Sequence, residues 1–284
     1  MNEVGIAAWV GQAPNGQRNF REVVHVILES IGRSQSLQTK MVMKGGLLMA
    51  IRYESSRYTR DLDFSTTTPY AAAVAQELVD ELEQQIAVTA DRLSYGTICR
   101  LQSSKVQPKG EGKTHQSLAL KIGYADRGHP GQLARLAAKN SPHVVEIDYS
   151  YNEAVFDVEV VQLDGGATIQ AYSLHNVIAE KLRSLLQQPM RRRNRRQDVY
   201  DICLLLDSVA AMGPDELENI HAMLVPSCLS KDIEPARHSM ENAAVVQMAR
   251  EGYDDLKADV EGDFPPFDEA MVRVQALYRS LPWA

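Results

Sequence analysis

Arg60-Asp61-Leu62-Asp63-Phe64-Ser65 alternates acidic and apolar residues across its middle four positions. On a strand, a period of two sends both carboxylates to one face and Leu62 and Phe64 to the other, toward a core. Carboxylates two residues apart suit a pair of Mg²⁺ ions, which also take phosphate oxygens and keep several waters. An Asp-x-Asp pattern is common, and a solvated strand edge accounts for it equally well. Its neighbours decide between the two.

Upstream, Met41-Val42-Met43 is a short apolar run, Lys44 and Gly45-Gly46 follow, and Leu47 to Tyr53 resumes with helical spacing. The order is strand, glycine turn, helix, strand. A glycine turn that opens a helix lets backbone N–H groups approach phosphate oxygens at the positive end of the helix dipole. Lys44 adds a charge there. A tight strand-to-helix turn would use the same glycines, and the two readings are compatible.

Downstream, Val144 to Tyr151 sets Val145, Ile147 and Tyr149 against Glu146 and Asp148. Either acid is a candidate third carboxylate for a two-metal site, or both form the polar face of an antiparallel strand. Further on, Ser173 to Leu186 carries an apolar stripe of Leu174, Val177, Ile178, Leu182, Leu185 and Leu186, with Lys181 near its centre. A buried ammonium needs a carboxylate or a phosphate, and a triphosphate tail is one candidate; a structural salt bridge or a snorkelling lysine is the alternative. On the next helix Asp198, Asp201, Ile202 and Leu205 share a face. Acids in a first turn complement the helix dipole, and Arg195 can pair with Asp198, or else these acids position Lys181 or substrate.

The rest of the chain supplies the frame. Phe20 to Ile31 and Tyr70 to Val88 read as helices, the second begun with the help of Pro69. Leu118, Leu120, Ile122 and Tyr124 alternate as a half-buried strand does, Pro108 to Lys113 joins two strands, and Asp164-Gly165-Gly166 is a hairpin turn. After Ser173 the pattern is helical, broken by Pro214, Pro226 and Phe264-Pro265-Pro266-Phe267. An α/β part over residues 1–170 and a helical part over 171–284 follow from this.

Over 284 residues, 44% hydrophobic and 24% charged, the chain can bury a sizeable core. Its net charge of -7 gives no global attraction to nucleic acid, so such contact would need a local patch; Arg191, Arg192, Arg193, Arg195 and Arg196 form one. Cys99, Cys203 and Cys228 are odd in number and lack zinc-site spacing, which fits a reducing compartment. Neither a secretory pattern nor a run of about 18 apolar residues is seen, so we expect a soluble, cytoplasmic protein with no membrane partner.

Taken in order, Lys44-Gly45-Gly46, Arg57-Tyr58-Thr59-Arg60-Asp61-Leu62-Asp63-Phe64, Ile147-Asp148-Tyr149-Ser150, Ala179-Glu180-Lys181-Leu182-Arg183 and Arg195-Arg196-Gln197-Asp198-Val199-Tyr200-Asp201 resemble the AbiEii/AbiGii nucleotidyltransferase toxin family. The resemblance spans roughly residues 40 to 207. It implies an α+β fold: a DNA polymerase β-like nucleotidyltransferase domain with a mixed sheet, then a helical C-terminal domain that completes the active site. By position, Gly45 and Gly46 with Lys44 would hold phosphate, and Asp61, Asp63 and Asp148 would bind two Mg²⁺. Lys181 would neutralise phosphate charge, and Asp198 is the acid of the last motif.

The implied activity is transfer of a nucleoside monophosphate from an NTP to an acceptor hydroxyl, foremost an RNA such as a tRNA 3′ end. The arginine patch would then meet RNA, and a protein antitoxin would oppose the toxin. Two alternatives stand beside it: a nucleotide-binding regulatory module without turnover, or nucleotidyl transfer to a small molecule or a protein. Two positions depart from the family pattern. Leu47 replaces the hydroxyl residue many members carry after the glycines, and Gln197 stands where a second Arg often precedes the last Asp.

Overall fold

Eight strands form one mixed sheet in a computed structural model that describes residues 2–14, 16–109, 113, 115–209 and 211–283. In chain order the elements of the first part are β1 (Asn2–Val4), α1 (Ile6–Gly11), α2 (Arg18–Arg33), α3 (Gln35–Lys40), β2 (Val42–Lys44), α4 (Gly45–Arg52) and β3 (Asp61–Ser65). Then come α5 (Ala72–Leu93), β4 (Thr97–Gln107), β5 (Ser117–Asp126), α6 (Pro130–Ala137), β6 (Val144–Ser150), β7 (Val158–Leu163) and β8 (Thr168–Tyr172). The helices α7 (Leu174–Arg191), α8 (Arg196–Asp207), α9 (Pro214–Leu229), α10 (Ala243–Arg250) and α11 (Phe267–Ser280) follow. The sequence predicts this α+β class, with a mixed sheet and C-terminal helices.

Across the sheet the strands run β1-β7-β8-β2-β3-β6-β5-β4. β3 lies antiparallel to β2 and parallel to β6, while β4, β5 and β6 are antiparallel neighbours. Leu62 and Phe64 of β3, Ile147 and Tyr149 of β6, and Leu120 and Ile122 of β5 are buried. They share the core face with apolar residues of α2 and α5, among them Ile27, Leu28, Ile31, Leu78, Leu82 and Ile86. Full burial of a side chain such as Leu62 or Phe64 contributes about 1.5–3 kcal/mol. A slip of one residue in β3 would exchange those side chains for Asp61 and Asp63, so the core enforces the acids' register.

Two expectations are corrected in detail. The second long helix begins at Ala72 and runs to Leu93, so Pro69 lies ahead of its first turn rather than within it. Gly45 and Gly46 are the first two residues of α4, not a separate turn before it. Of the expected loop Pro108 to Lys113, residues 110–112 lie outside the described residues.

By packing, the chain forms two units. One comprises residues 1–51 and 59–171, and the other residues 52–58 and 172–284. In the second, α7 is started by Ser173, whose Oγ accepts from the Asn176 N–H at 3.2 Å. Its core draws Val177, Ile178, Leu182 and Leu185 of α7 together with Ile202 and Leu205 of α8, Ile220 and Leu224 of α9, and Val274 and Tyr278 of α11. No described helix is long and apolar enough to cross a membrane.

Candidate active site

On the face of the sheet opposite the core, strand register assembles the acids. β3 and β6 run parallel with Asp61 opposite Glu146 and Asp63 opposite Asp148. Neighbouring strands lie about 4.8 Å apart, so four carboxylates occupy one small patch of the sheet. Asp61, Glu146 and Asp148 are exposed and Asp63 is half-buried. Partial burial, then the like charges of Glu146 and Asp148, push the Asp61 carboxyl above its ordinary value, with Arg60 opposing. A cation would relieve that repulsion. Among the described residues no three His, Cys, Asp or Glu side chains already converge as a metal cage.

The neighbours of β6 separate its two acids. Glu146 lies opposite Lys121 of β5, whose Nζ is 2.7 Å from Glu146 Oε1, whereas Asp148 lies opposite Ala119. Asp148 is therefore the one flanked by Asp63 on one side and a small apolar residue on the other.

The glycine pair meets the same patch from β2. Lys44 lies opposite Asp63 in the antiparallel pairing of β2 with β3, and α4 begins at the next residue. Gly45 has φ +77, and a Cβ there would come within 2.7 Å of Asp63 Cγ and 2.8 Å of Asp63 Cβ. Backbone conformation and close approach each demand glycine at this position. The N-terminal backbone of α4 thus lies against one of the acids, with the first N–H groups of the helix lacking intrahelical partners.

The second unit holds a buried charge cluster. Lys181 Nζ on α7 donates to Asp201 Oδ2 at 2.6 Å and to Asp198 Oδ1 at 3.2 Å, both on α8. Arg57 binds Asp201 with two donors, Nε to Oδ1 at 3.1 Å and Nη2 to Oδ2 at 3.2 Å. Asp201 is fully buried, and Lys181 and Asp198 nearly so. Two cations balance two anions. For Asp201, desolvation works to raise the pKa, but the charges of Lys181 and Arg57 outweigh it and hold the carboxyl below its ordinary value. For Lys181, desolvation works to lower the pKa and is outweighed by Asp201 and Asp198, so it lies above its ordinary value. The buried ammonium thus has carboxylate partners within its own unit, and its burial needs no phosphate.

Sequence reasoning identified Lys181 and both acids of α8 but not the fourth member of the cluster. Arg57 lies 144 positions from Asp201, and only its place in the Arg57 to Phe64 motif marked it. In the arginine patch, Arg191, Arg192 and Arg193 are exposed at the end of α7, while Arg196 opens α8 and pairs with Asp255 at 3.4 Å. The three cysteines are buried and free, and burial pushes Cys99 and Cys228 up to about 12 and Cys203 to about 11, so none is a ready nucleophile.

A strand, a glycine-opened helix and a second strand bearing two acids, with further acids on a parallel neighbour, thus lie together in the first unit. Residues 27–273 match the protein-family model described as "Nucleotidyl transferase AbiEii toxin, Type IV TA system". The chain belongs to the AbiEii family. It is accordingly a nucleotidyltransferase of a toxin family from type IV toxin–antitoxin systems, for which an NTP substrate and an antitoxin are general attributes.

Among solved structures, this AbiEii chain is similar to JHP933 from Helicobacter pylori, at 13% identity and a TM-score of 0.54, over 95% of this chain and 93% of that one. That likeness is one of fold. A second, the "Crystal structure of putative nucleotidyltransferase from H. pylori", aligns at 14% identity over 88% of this chain and all of that one, but its TM-score of 0.39 adds nothing to the argument. No curated protein matches the chain.

Proposed function

We propose that this AbiEii protein transfers a nucleoside monophosphate from an NTP to an acceptor hydroxyl on RNA, with a tRNA 3′ end the first candidate, and that Asp61, Asp63 and Asp148 form its divalent-metal site. The observation that carries the reading is the β3–β6 register, which sets Asp61 and Asp63 beside Glu146 and Asp148 on one open sheet face. The raised pKa of Asp61, from burial first and then its acidic neighbours, and the glycine backbone packed against Asp63, fit this donor set to Mg²⁺ bound together with phosphate.

Each group then has a task within this face. Backbone N–H groups at the start of α4, from Gly45 and Gly46 onward, bind phosphate oxygens of the NTP, and Lys44 adds a positive charge beside them. Leu47 brings no hydroxyl, so phosphate recognition rests on backbone. Asp61 and Asp63 would hold the metal ions, and Asp148 would complete that set or take the proton of the attacking hydroxyl. Mg²⁺, when bound, would neutralise charge on the phosphoryl oxygens and favour ionisation of the acceptor hydroxyl. The acceptor oxygen forms its bond to the α-phosphorus as the bond to the β-phosphate breaks, and pyrophosphate leaves.

The test is incorporation of labelled NTP into a tRNA pool by the protein and by its D61A, D63A and D148A variants. Loss of about 10²-fold or more in each variant is expected for removal of a group that stabilises developing charge. Retained transfer by D61A or D63A would overturn the metal assignment.

A further inference from the structure

The acid patch continues sideways into a ribbon of a different character. β5 pairs with β6 and β4 pairs with β5, so the register can be followed across the sheet on the acids' own face. One rank reads Lys44, Asp63, Asp148, Ala119 and Lys105. The next reads Asp61, Glu146, Lys121 and Ser103. A third reads Ser65, Ser150, Ser117 and Gln107. From the acids outward to the sheet edge the face thus turns from carboxylates to lysines and small polar residues.

Three observations mark this outer face as more than the solvated side of a ribbon. The β4 and β5 residues of this face, 103, 105, 107, 117, 119 and 121, include two lysines and no acid, in a chain whose net charge is -7. Lys105 and Lys121 are exposed and project to the same side as Asp61 and Asp148, as diagonal neighbours about 7–8 Å apart. Among the described residues Lys121 pairs with Glu146, and the two side chains are 47% and 49% accessible. Such an exposed pair contributes little, so a phosphate can take Glu146's place. The flanking Ala119, Ser103 and Ser117 are small and half-buried.

We infer that the outer face of β4 and β5, through Lys105 and Lys121, is the track along which the sugar-phosphate backbone of a single-stranded RNA approaches the acids. This rests on the nucleotidyl-transfer reading above and adds to it where the acceptor lies. Basic side chains beside an acidic metal patch match a strand whose backbone is anionic throughout and whose terminal hydroxyl must reach that patch. Residues 103, 105, 107, 117, 119 and 121 include no aromatic, so this face offers no platform for stacking bases. Recognition here is of backbone rather than of sequence.

The experiment measures direct binding of a 5′-labelled, mixed-sequence, 20-nucleotide single-stranded RNA to the full chain, without NTP and without divalent metal. The wild type, K105Q/K121Q and R192Q/R193Q are compared between 50 and 200 mM salt. Losing two backbone contacts should make the slope of log K against log salt shallower by about 1.4 in K105Q/K121Q. Affinity at 50 mM salt should fall by about tenfold or more.

Unchanged affinity and slope in K105Q/K121Q would overturn the inference, as would a loss confined to R192Q/R193Q or no binding by the wild type. Thermal melting of each variant excludes misfolding, because exposed substitutions of this kind change stability little. Pyrophosphate release is assayed separately. Transfer that survives with K105Q/K121Q binding intact removes this track and leaves the proposed chemistry standing, while loss of binding in a protein inert toward every NTP removes only the chemistry.

Discussion

Asp63 and Asp148 stand directly opposite each other on adjacent parallel strands, and the same Asp63 lies against the backbone of Gly45. One acid is therefore shared by the glycine-opened helix and the carboxylate patch. Gly45→Ala forces a side chain into that contact and into a left-handed backbone conformation, which alone costs about 1–2 kcal/mol. We expect a lowered melting temperature together with NTP affinity reduced beyond what the fraction folded explains, read by calorimetric titration at a temperature where both proteins are folded. Wild-type affinity in a folded G45A protein would separate the glycine from nucleotide binding.

Asp61 carries a raised pKa, and the sign of its effect on stability follows. Its folded form holds a proton more tightly than the unfolded chain, so its unfavourable contribution is absent below the ordinary value of 3.8 and fully present above the raised one. Asp61→Asn should therefore raise the melting temperature at neutral pH in the absence of divalent metal, with the gain vanishing near pH 3. Added Mg²⁺ should stabilise the wild type and not the variant. A wild type whose melting temperature ignores Mg²⁺ would count against the site.

Glu146 raises the Asp61 pKa through its charge, after burial. Glu146→Gln should lower that pKa, moving the acid limb of Mg²⁺ binding to lower pH without abolishing binding, as followed by metal titration from pH 4 to 7. Asp148→Asn should move the limb the same way but weaken binding at every pH. Equal behaviour of the two variants would remove the distinction drawn between the two acids of β6.

The buried cluster Arg57–Asp201–Lys181–Asp198 lends itself to a mutant cycle. Arg57→Met leaves two buried carboxylates facing one ammonium, and Asp201→Asn leaves two cations facing one carboxylate. Each should cost about 3–5 kcal/mol in urea unfolding. The double variant restores charge balance and should recover most of that loss. Additive losses in the double variant would show that the charges are not coupled.

The pH dependence of the same cluster has two ends. Asp201, with its lowered pKa, contributes stability that is present above 3.8 and is lost as pH falls through its folded value. Lys181, with its raised pKa, contributes stability that is present below 10.5 and is lost as pH rises through its folded value. Between those limits stability from the pair should be flat, and Asp201→Asn should abolish the acid-side loss in a pH series of urea midpoints.

What could be read from residues alone was set by local periodicity. Leu62 and Phe64 had to be buried, and that placed Asp61 and Asp63 on the other face; the same period in β6 placed Glu146 and Asp148. Their meeting was not readable, because parallel pairing of β3 with β6 depends on about 80 intervening residues that leave no mark on either strand. Lys181 announced that it needed an anion but not which one, since carboxylate and phosphate satisfy a buried ammonium alike. Arg57 gave no local sign of its role, for its partner is 144 positions away. The short β1 and its parallel pairing with β7 were likewise invisible, three residues being too few to show alternation.

The segment 52–58 belongs by packing to the helical unit although it precedes most of the sheet in the chain. During synthesis Arg57 emerges long before Asp201, so the helices cannot reach their final charge balance until a loop of 144 positions closes. A fragment starting at residue 172 would inherit Asp198 and Asp201 with Lys181 as their sole cation from this cluster. No single cut therefore yields both halves intact, and a graft that transplants the helices into another protein must carry the seven-residue strip around Arg57 with them.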